Sequence, residues 1–366
     1  MTIGAAAACQ SDRSSRPASS EAPIASPVLA IAALPPSPTP WPVPDPFLFC
    51  VHHDDAYPVG NTIQGPDPVL LSGREMGQDF AGRDGWRMYH GRNVPGFPAH
   101  PHRGFETVTV VRRGLLDHSD SLGATARYGK GDVQWLTAGA GIQHAEMFPL
   151  VDDSAPNPVE LFQIWMNLPA AKKFANPYFA MLWADDIPRH TVRDASGRSA
   201  EIVTVAGALA HKAPVSPPPD SWAAGDNDVA IWTIKLSPNA TWTMPPARAG
   251  SNRWLYFFSG TSLSIDGRAI PANHVAELRA DATCVLANGA GETECLLLQG
   301  APIAEPVVKH GPFVMNTRAE IHQAIRDYQL TQFGGWSWSS NEPVHSRDAG
   351  RFAKHADGRV DKPRTA

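Results

Sequence analysis

Cysteine is scarce in this chain: four in 366 residues, Cys9, Cys50, Cys284 and Cys295, scattered and without a CxxC spacing. That excludes a disulfide framework and a thiolate zinc site, and a reducing compartment is the simpler expectation. Charge is also thin, at 18% of residues, with 31 basic against 36 acidic side chains and a formal net charge of −5. No Lys/Arg block exceeds two residues, so nothing resembles a surface that tracks phosphates, and direct nucleic-acid binding is not expected. Long apolar runs are missing too. No window approaches the roughly 18 apolar residues of a spanning helix. Residues 4–9 read GAAAAC, like the end of a lipoprotein signal, but no basic segment precedes them and the apolar stretch is too short. A cytoplasmic protein is the expectation.

What the chain has in quantity is proline (35), glycine (30) and hydrophobic residues (43%). Without a Gly-X-Y period this composition means many turns, short connections and an all-β protein with few helices. Residues 1–44 are rich in Ala, Ser and Pro, and so predict a disordered tail. From Asp45 onward, short apolar runs alternate with Gly, Pro, Asn and Asp. Strands are expected at 105–111 (FETVTVV), 133–136, 160–168, 202–205, 229–236, 254–258, 262–265, 283–286 and 295–298. One helix has a start signal: Thr317 and Glu320 form a capping box, and Ile321, Ala324, Ile325 and Tyr328 make an apolar stripe. Lys172 to Phe174 offer at most a short turn. The Pro-rich stretch 211–228 reads as a surface loop dividing two strand-rich halves, 45–170 and 195–302, which look like β-barrels in tandem.

The chemistry gathers in two segments. His100 and His102 lie two apart, so on a strand both imidazoles leave the same face, and Glu106 shares their parity. His144 and Glu146 repeat the pattern. Three neutral imidazoles and one carboxylate would leave a divalent metal with net charge +1 and open positions for substrate and oxygen. Roughly half an HxH is expected by chance in such a chain, so the weight comes from the two motifs occurring together beside Gly turns. Parity does not choose between Glu106 and Glu146. Other candidates fare worse. Residues 139–144 begin like a dinucleotide fingerprint but carry His144 in place of the last glycine, and GxSxG and phosphate-loop motifs are missing. In His52-His53-Asp54-Asp55 adjacent side chains face opposite ways, which argues against a shared metal. His118, His274, His310 and His322 are isolated and default to structural roles. Trp135 is kept as a candidate pocket wall.

FPAHPHRGFETVTVVRRG, GDVQWLTAGAGIQHAEM and PVVKHGPFVMNT, with the opening Asp45-Pro46-Phe47-Leu48, closely resemble the pirin family of the cupin superfamily over about residues 45–330. The resemblance implies an all-β bicupin: two tandem antiparallel cupin β-barrels with a short C-terminal helix. It divides the chain into a metal-binding domain at 45–175, a metal-free domain at 195–302, a segment with the helix at 303–334 and an extension at 335–366. It assigns His100, His102, His144 and Glu146 as metal ligands, with Glu106 orienting an imidazole. It implies one divalent metal, Fe(2+), with other transition metals as alternatives. The implied activity is that of a quercetin 2,3-dioxygenase acting on a small aromatic or flavonoid substrate and dioxygen, with Glu146 as general base. The alternative is an iron-binding, redox-sensitive regulatory protein that works through a protein partner. A monomer is expected. The tail, the 211–228 loop and the extension depart from the family pattern.

Overall fold

The β-branched run at 105–111 forms the centre of the strand Phe105–Arg113, whose alternate side chains serve two different cores. The computed structural model describes Met1 and residues 26–364. In the N-terminal half a five-stranded antiparallel sheet runs in the order Tyr178–Leu182, Val133–Thr137, Phe105–Arg113, Val159–Asn167, Phe47–Asp55. Its companion has the order Val360–Asp361, Phe352–Lys354, Thr125–Gly129, Leu115–Asp120, Ile142–Met147, Gly96–His102. The second half pairs a seven-stranded sheet, which includes Ser199–Ala206, Ala230–Leu236, Asn252–Ser259 and Thr293–Gly300, with a four-stranded one. All nine expected strands are present, with ends shifted by a few residues. Hydrogen bonding runs within these sheets and, among the described residues, does not close either half into a continuous barrel.

Each half has its own core, and a third lies between them. Val108, Val110, Trp135 and Ile164 of the first half pack there against Ile231, Tyr256 and Leu296 of the second. The helix Arg318–Thr331 begins as its sequence predicts: Thr317 Oγ1 accepts from the Glu320 N–H, and Glu320 Oε2 accepts from the Thr317 N–H. Ile321 and Ala324 are buried beneath it. Among the described residues no helix is long and apolar enough to cross a membrane.

Two expectations are corrected, and the C-terminal extension, for which there was none, is placed. The disordered tail of 1–44 fails at its inner end. Val28–Ala33 is a strand that pairs with His274–Leu278 at the edge of the seven-stranded sheet, and Trp41 is buried between the halves, stacked on Tyr256. The rest of that expectation, and Cys9, lie outside the described residues. The 211–228 loop is docked, not simply surface: Ser221 is buried and Trp222 packs on the central core. The extension after Gly335 adds two strands to the six-stranded sheet, Phe352–Lys354 against Thr125–Gly129 and Val360–Asp361 against Phe352–Lys354. It also reaches the strand of the HxH motif, where the Ala99 N–H donates to Asn341 O at 2.8 Å.

Candidate metal centre

The two motifs meet because their strands are neighbours. Gly96–His102 and Ile142–Met147 pair antiparallel, with His100 directly opposite His144 and Phe97 opposite Glu146. Period-two alternation then turns all four side chains to one face. His100, His102 and His144 each bring one ring nitrogen to a group whose members all lie within 4.8 Å of one another. The ring centroids form a nearly even triangle, 4.5, 4.8 and 4.9 Å on its sides. The turn that follows is sterically exacting. Gly104 has φ +86°, and a Cβ there would stand 2.0 Å from Val314 O.

Glu146 stands beside this triangle, its Oε2 3.9 Å from His144 Nε2. Thr109 Oγ1 donates to Oε1 at 2.9 Å and Gln163 Nε2 donates to Oε2 at 2.7 Å, and these two partners face each other across neighbouring strands. Burial raises the pKa of the carboxyl. It has the opposite effect on the imidazoles: His100 is pushed down to about 4 by burial, with His90 and His118 adding to it, and His102 and His144 fall well below the usual histidine range, driven by burial and then by neighbouring imidazoles of the triad. All three are therefore neutral, the form that binds a metal.

The hydrogen bonding of the rings is incomplete in an informative way. His100 Nδ1 bonds Pro98 O at 2.8 Å, which leaves Nε2 as the lone-pair nitrogen. Among the described residues, both nitrogens of the fully buried His144, and Nδ1 of His102, have no hydrogen-bond partner. Each such orphan costs on the order of 1–3 kcal/mol, and coordination to a cation would remove part of that cost. The donor set thus fits a divalent metal. His118 shows the contrast: its ring is 5.6 Å from that of His144, but Nδ1 accepts from Gln134 and Nε2 bonds Asp120 at 3.0 Å, so neither nitrogen is free. It is hydrogen-bonded and structural, as expected, although fully buried.

An inner chamber of about 130 Å³ opens beside His100, His102 and Glu146, walled by Phe49, Phe97 and Trp165 among others. It adjoins an outer vestibule of about 600 Å³ that shares His100, His102, Phe97 and Trp165 and has Arg92, Asn341 and Glu342 at its side. The C-terminal extension thus helps to wall the site, which its sequence gave no sign of. Trp135 does not: it is buried in the core between the halves. Thr109, Gln163 and Trp165 were missed by sequence reasoning, and His53 was weighed only within His52-His53-Asp54-Asp55 and set aside. Their only available signal was alternation, since Phe49, Val51 and His53 lie on the inward face of one strand while His52 faces outward to Glu160.

Glu106 is not beside the imidazoles, against the expectation that it orients one. The turn at Arg103-Gly104 interrupts the parity, and Glu106 lies with Val108 and Val110 on the outward face of its strand. There Thr137 Oγ1 and Ser221 Oγ donate to it at 2.7 and 2.6 Å. Burial raises its pKa to about 7 from the ordinary glutamate value of 4.5. Between those values the native state holds a proton that the unfolded chain has lost, so this residue's contribution to stability falls as pH rises through that window. Glu106→Gln mimics the neutral form. It is expected to be more stable than wild type by about 3 kcal/mol at pH 8, with the difference vanishing below about pH 4.5, as read from denaturant unfolding at the two pH values.

The profile of the Pirin family matches residues 72–166, and that of the Pirin C-terminal cupin domain matches residues 231–334. Human pirin is 34% identical over 252 residues, which cover 67% of this chain and 80% of that protein. A Pseudomonas aeruginosa protein with a provisional quercetin 2,3-dioxygenase name is 35% identical over 239 residues, 65% of this chain and 79% of the relative. Among solved structures, a quercetin 2,3-dioxygenase from Acinetobacter baumannii superposes with a TM-score of 0.63 at 28% identity, covering 80% of this chain and 87% of that one. A mostly antiparallel β protein of two cupin-type halves, with both family profiles matched in order, is a member of the pirin family.

Proposed function

We propose that this chain is a metal-dependent dioxygenase of the quercetin 2,3-dioxygenase type, acting on planar hydroxylated aromatics such as flavonols. The observation that carries the reading is a triad of neutral imidazoles, two of them buried with unsatisfied nitrogens, opening into a chamber whose walls are aromatic. His100, His102, His144 and Glu146 would hold the metal, Fe(2+) by family resemblance. When bound it supplies a Lewis-acid and redox centre for substrate and dioxygen. The rest belongs to the chain. Phe49, Phe97 and Trp165 offer flat apolar surface to an aromatic ring and exclude water. Thr109 and Gln163 fix the Glu146 carboxylate, whose Oε2 can take the proton of a substrate hydroxyl. A chamber behind a vestibule suits a small-molecule substrate better than a purely regulatory metal site.

Iron-loaded wild type should consume oxygen when given quercetin, and His100→Ala should fall by at least about 100-fold. Equal, negligible rates in both would end the enzymatic reading.

A further inference from the structure

The inner chamber has one polar side chain that the proposed chemistry does not use, His53, which lines it beside Phe97, Glu146 and Gln163. Its Nδ1 bonds Tyr89 Oη at 2.7 Å, Tyr89 O–H donates to Asp55 Oδ2 at 2.7 Å, and Arg87 Nη1 donates to Asp55 Oδ1 at 3.0 Å. Since the Tyr89 proton goes to the carboxylate, the hydroxyl oxygen must accept from His53. Nδ1 then carries the ring proton and Nε2 is a bare acceptor. Among the described residues Nε2 makes no hydrogen bond, and His53, which lines the chamber, keeps 5% of its surface exposed.

The support for this histidine is costly, which argues that its orientation matters. Tyr89 is fully buried at φ +55°, a conformation that a bulky side chain rarely adopts. Two backbone hydrogen bonds with Asp79, at 2.9 and 3.0 Å, hold it there. Asp55 and its ion pair with Arg87 are likewise buried or nearly so. Burial, with His52 and Arg87 nearby, holds the His53 pKa down at about 3, so the ring is uncharged at working pH.

We propose that His53 is a substrate-binding residue whose Nε2 accepts a hydrogen bond from a second hydroxyl of the aromatic ligand, distinct from the one at the metal side. The Tyr89–Asp55–Arg87 chain fixes the tautomer that leaves this acceptor bare. The inference rests on the reading of the chamber as a flavonol site and narrows the substrate class to polyhydroxylated aromatics. A site built to bond a hydroxyl discriminates against an analogue that lacks it, because its own polar group is then left buried and unpaired.

The test compares two ligands on three proteins. Quercetin and 3-hydroxyflavone, which keeps only the hydroxyl of the metal side, are titrated by fluorescence quenching into metal-free and iron-loaded wild type, His53→Phe and His53→Gln. Wild type should prefer quercetin by about 10-fold in both metal states, His53→Phe should lose that preference, and His53→Gln should regain part of it through its side-chain oxygen. General damage to the chamber would weaken both ligands together and leave their ratio unchanged. A wild-type ratio near one, or a full preference retained in His53→Phe, overturns the proposal while leaving the dioxygenase reading intact. If neither flavonoid binds wild type and no oxygen is consumed, the reading of the chamber fails and this inference fails with it.

Discussion

His144→Ala is expected to bind iron at least about 100-fold more weakly than wild type, with bound metal falling from one ion per chain to near zero after desalting. The size of the effect follows from what this imidazole does in the protein without metal, which is nothing that hydrogen bonding can detect. Both of its nitrogens are buried and unpartnered, and it faces His100 and His102 across a triangle under 5 Å on each side. A side chain held in that state destabilises the metal-free fold unless a ligand repays it. Two measurements follow. Without metal, His144→Ala should unfold within about 1 kcal/mol of wild type, because the packing it loses is offset by the removal of two desolvated polar atoms. With metal at about 1,000 times its dissociation constant, wild type should gain about 4 kcal/mol and the variant almost nothing. His102→Ala should behave in the same way. Wild-type metal content in either variant would remove the assignment.

The parts of this site that the sequence could announce are those written in short-range alternation. HxH and HxE are each two residues long in reach, and a strand of either kind must put both side chains on one face. The pairing of His100 with His144 then needed only that the two strands be neighbours. The choice between Glu106 and Glu146 was beyond parity, because parity was counted through the Arg103-Gly104 turn, where a positive φ at glycine resets which face is inward. Family resemblance favoured Glu146, and the geometry brings Glu146 next to the triad and leaves Glu106 between the halves. The role of His53 was invisible for another reason. Its partner Tyr89 is 36 residues away, at the end of a segment of turns and short helical pieces with no periodicity to read. The strand Val28–Ala33 was hidden by its composition, since VLAIAA beside so much proline reads as tail; only an exposed edge at His274–Leu278 makes it a strand.

The extension beyond Gly335 was the largest omission, and a single buried arginine shows how firmly it is bound. Arg127 is fully buried. Its Nε and Nη2 donate to the two oxygens of Asp117, both at 2.7 Å, and Nη2 also reaches Gln64 Oε1 at 3.0 Å. The remaining donors cap the extension: Nη1 bonds the carbonyls of Ser346 and Ala349 at 2.8 and 3.1 Å, and Nη2 bonds that of His345 at 3.1 Å. The same Asp117 carboxylate accepts from the His345 N–H at 2.8 Å. Arg127→Ala removes every one of these donors and leaves Asp117 as a buried charge without its counterion, a change that costs about 3–5 kcal/mol. Arg127→Lys should recover only a part, because an ammonium cannot meet both carboxylate oxygens and three carbonyls from one position. The loss should be local as well as global. With its anchor gone, the extension should be cut by trypsin at Arg347 and Arg351 well before the rest of the chain, while wild type resists at both. The consequence reaches the site, because the segment that loses its anchor also carries Asn341 and Glu342, and the Glu342 carboxylate accepts from the N–H groups of Arg92 and Asn93 at the vestibule wall. Unfolding within about 1 kcal/mol of wild type, together with unchanged cleavage, would show that the extension is held by its strand pairing alone.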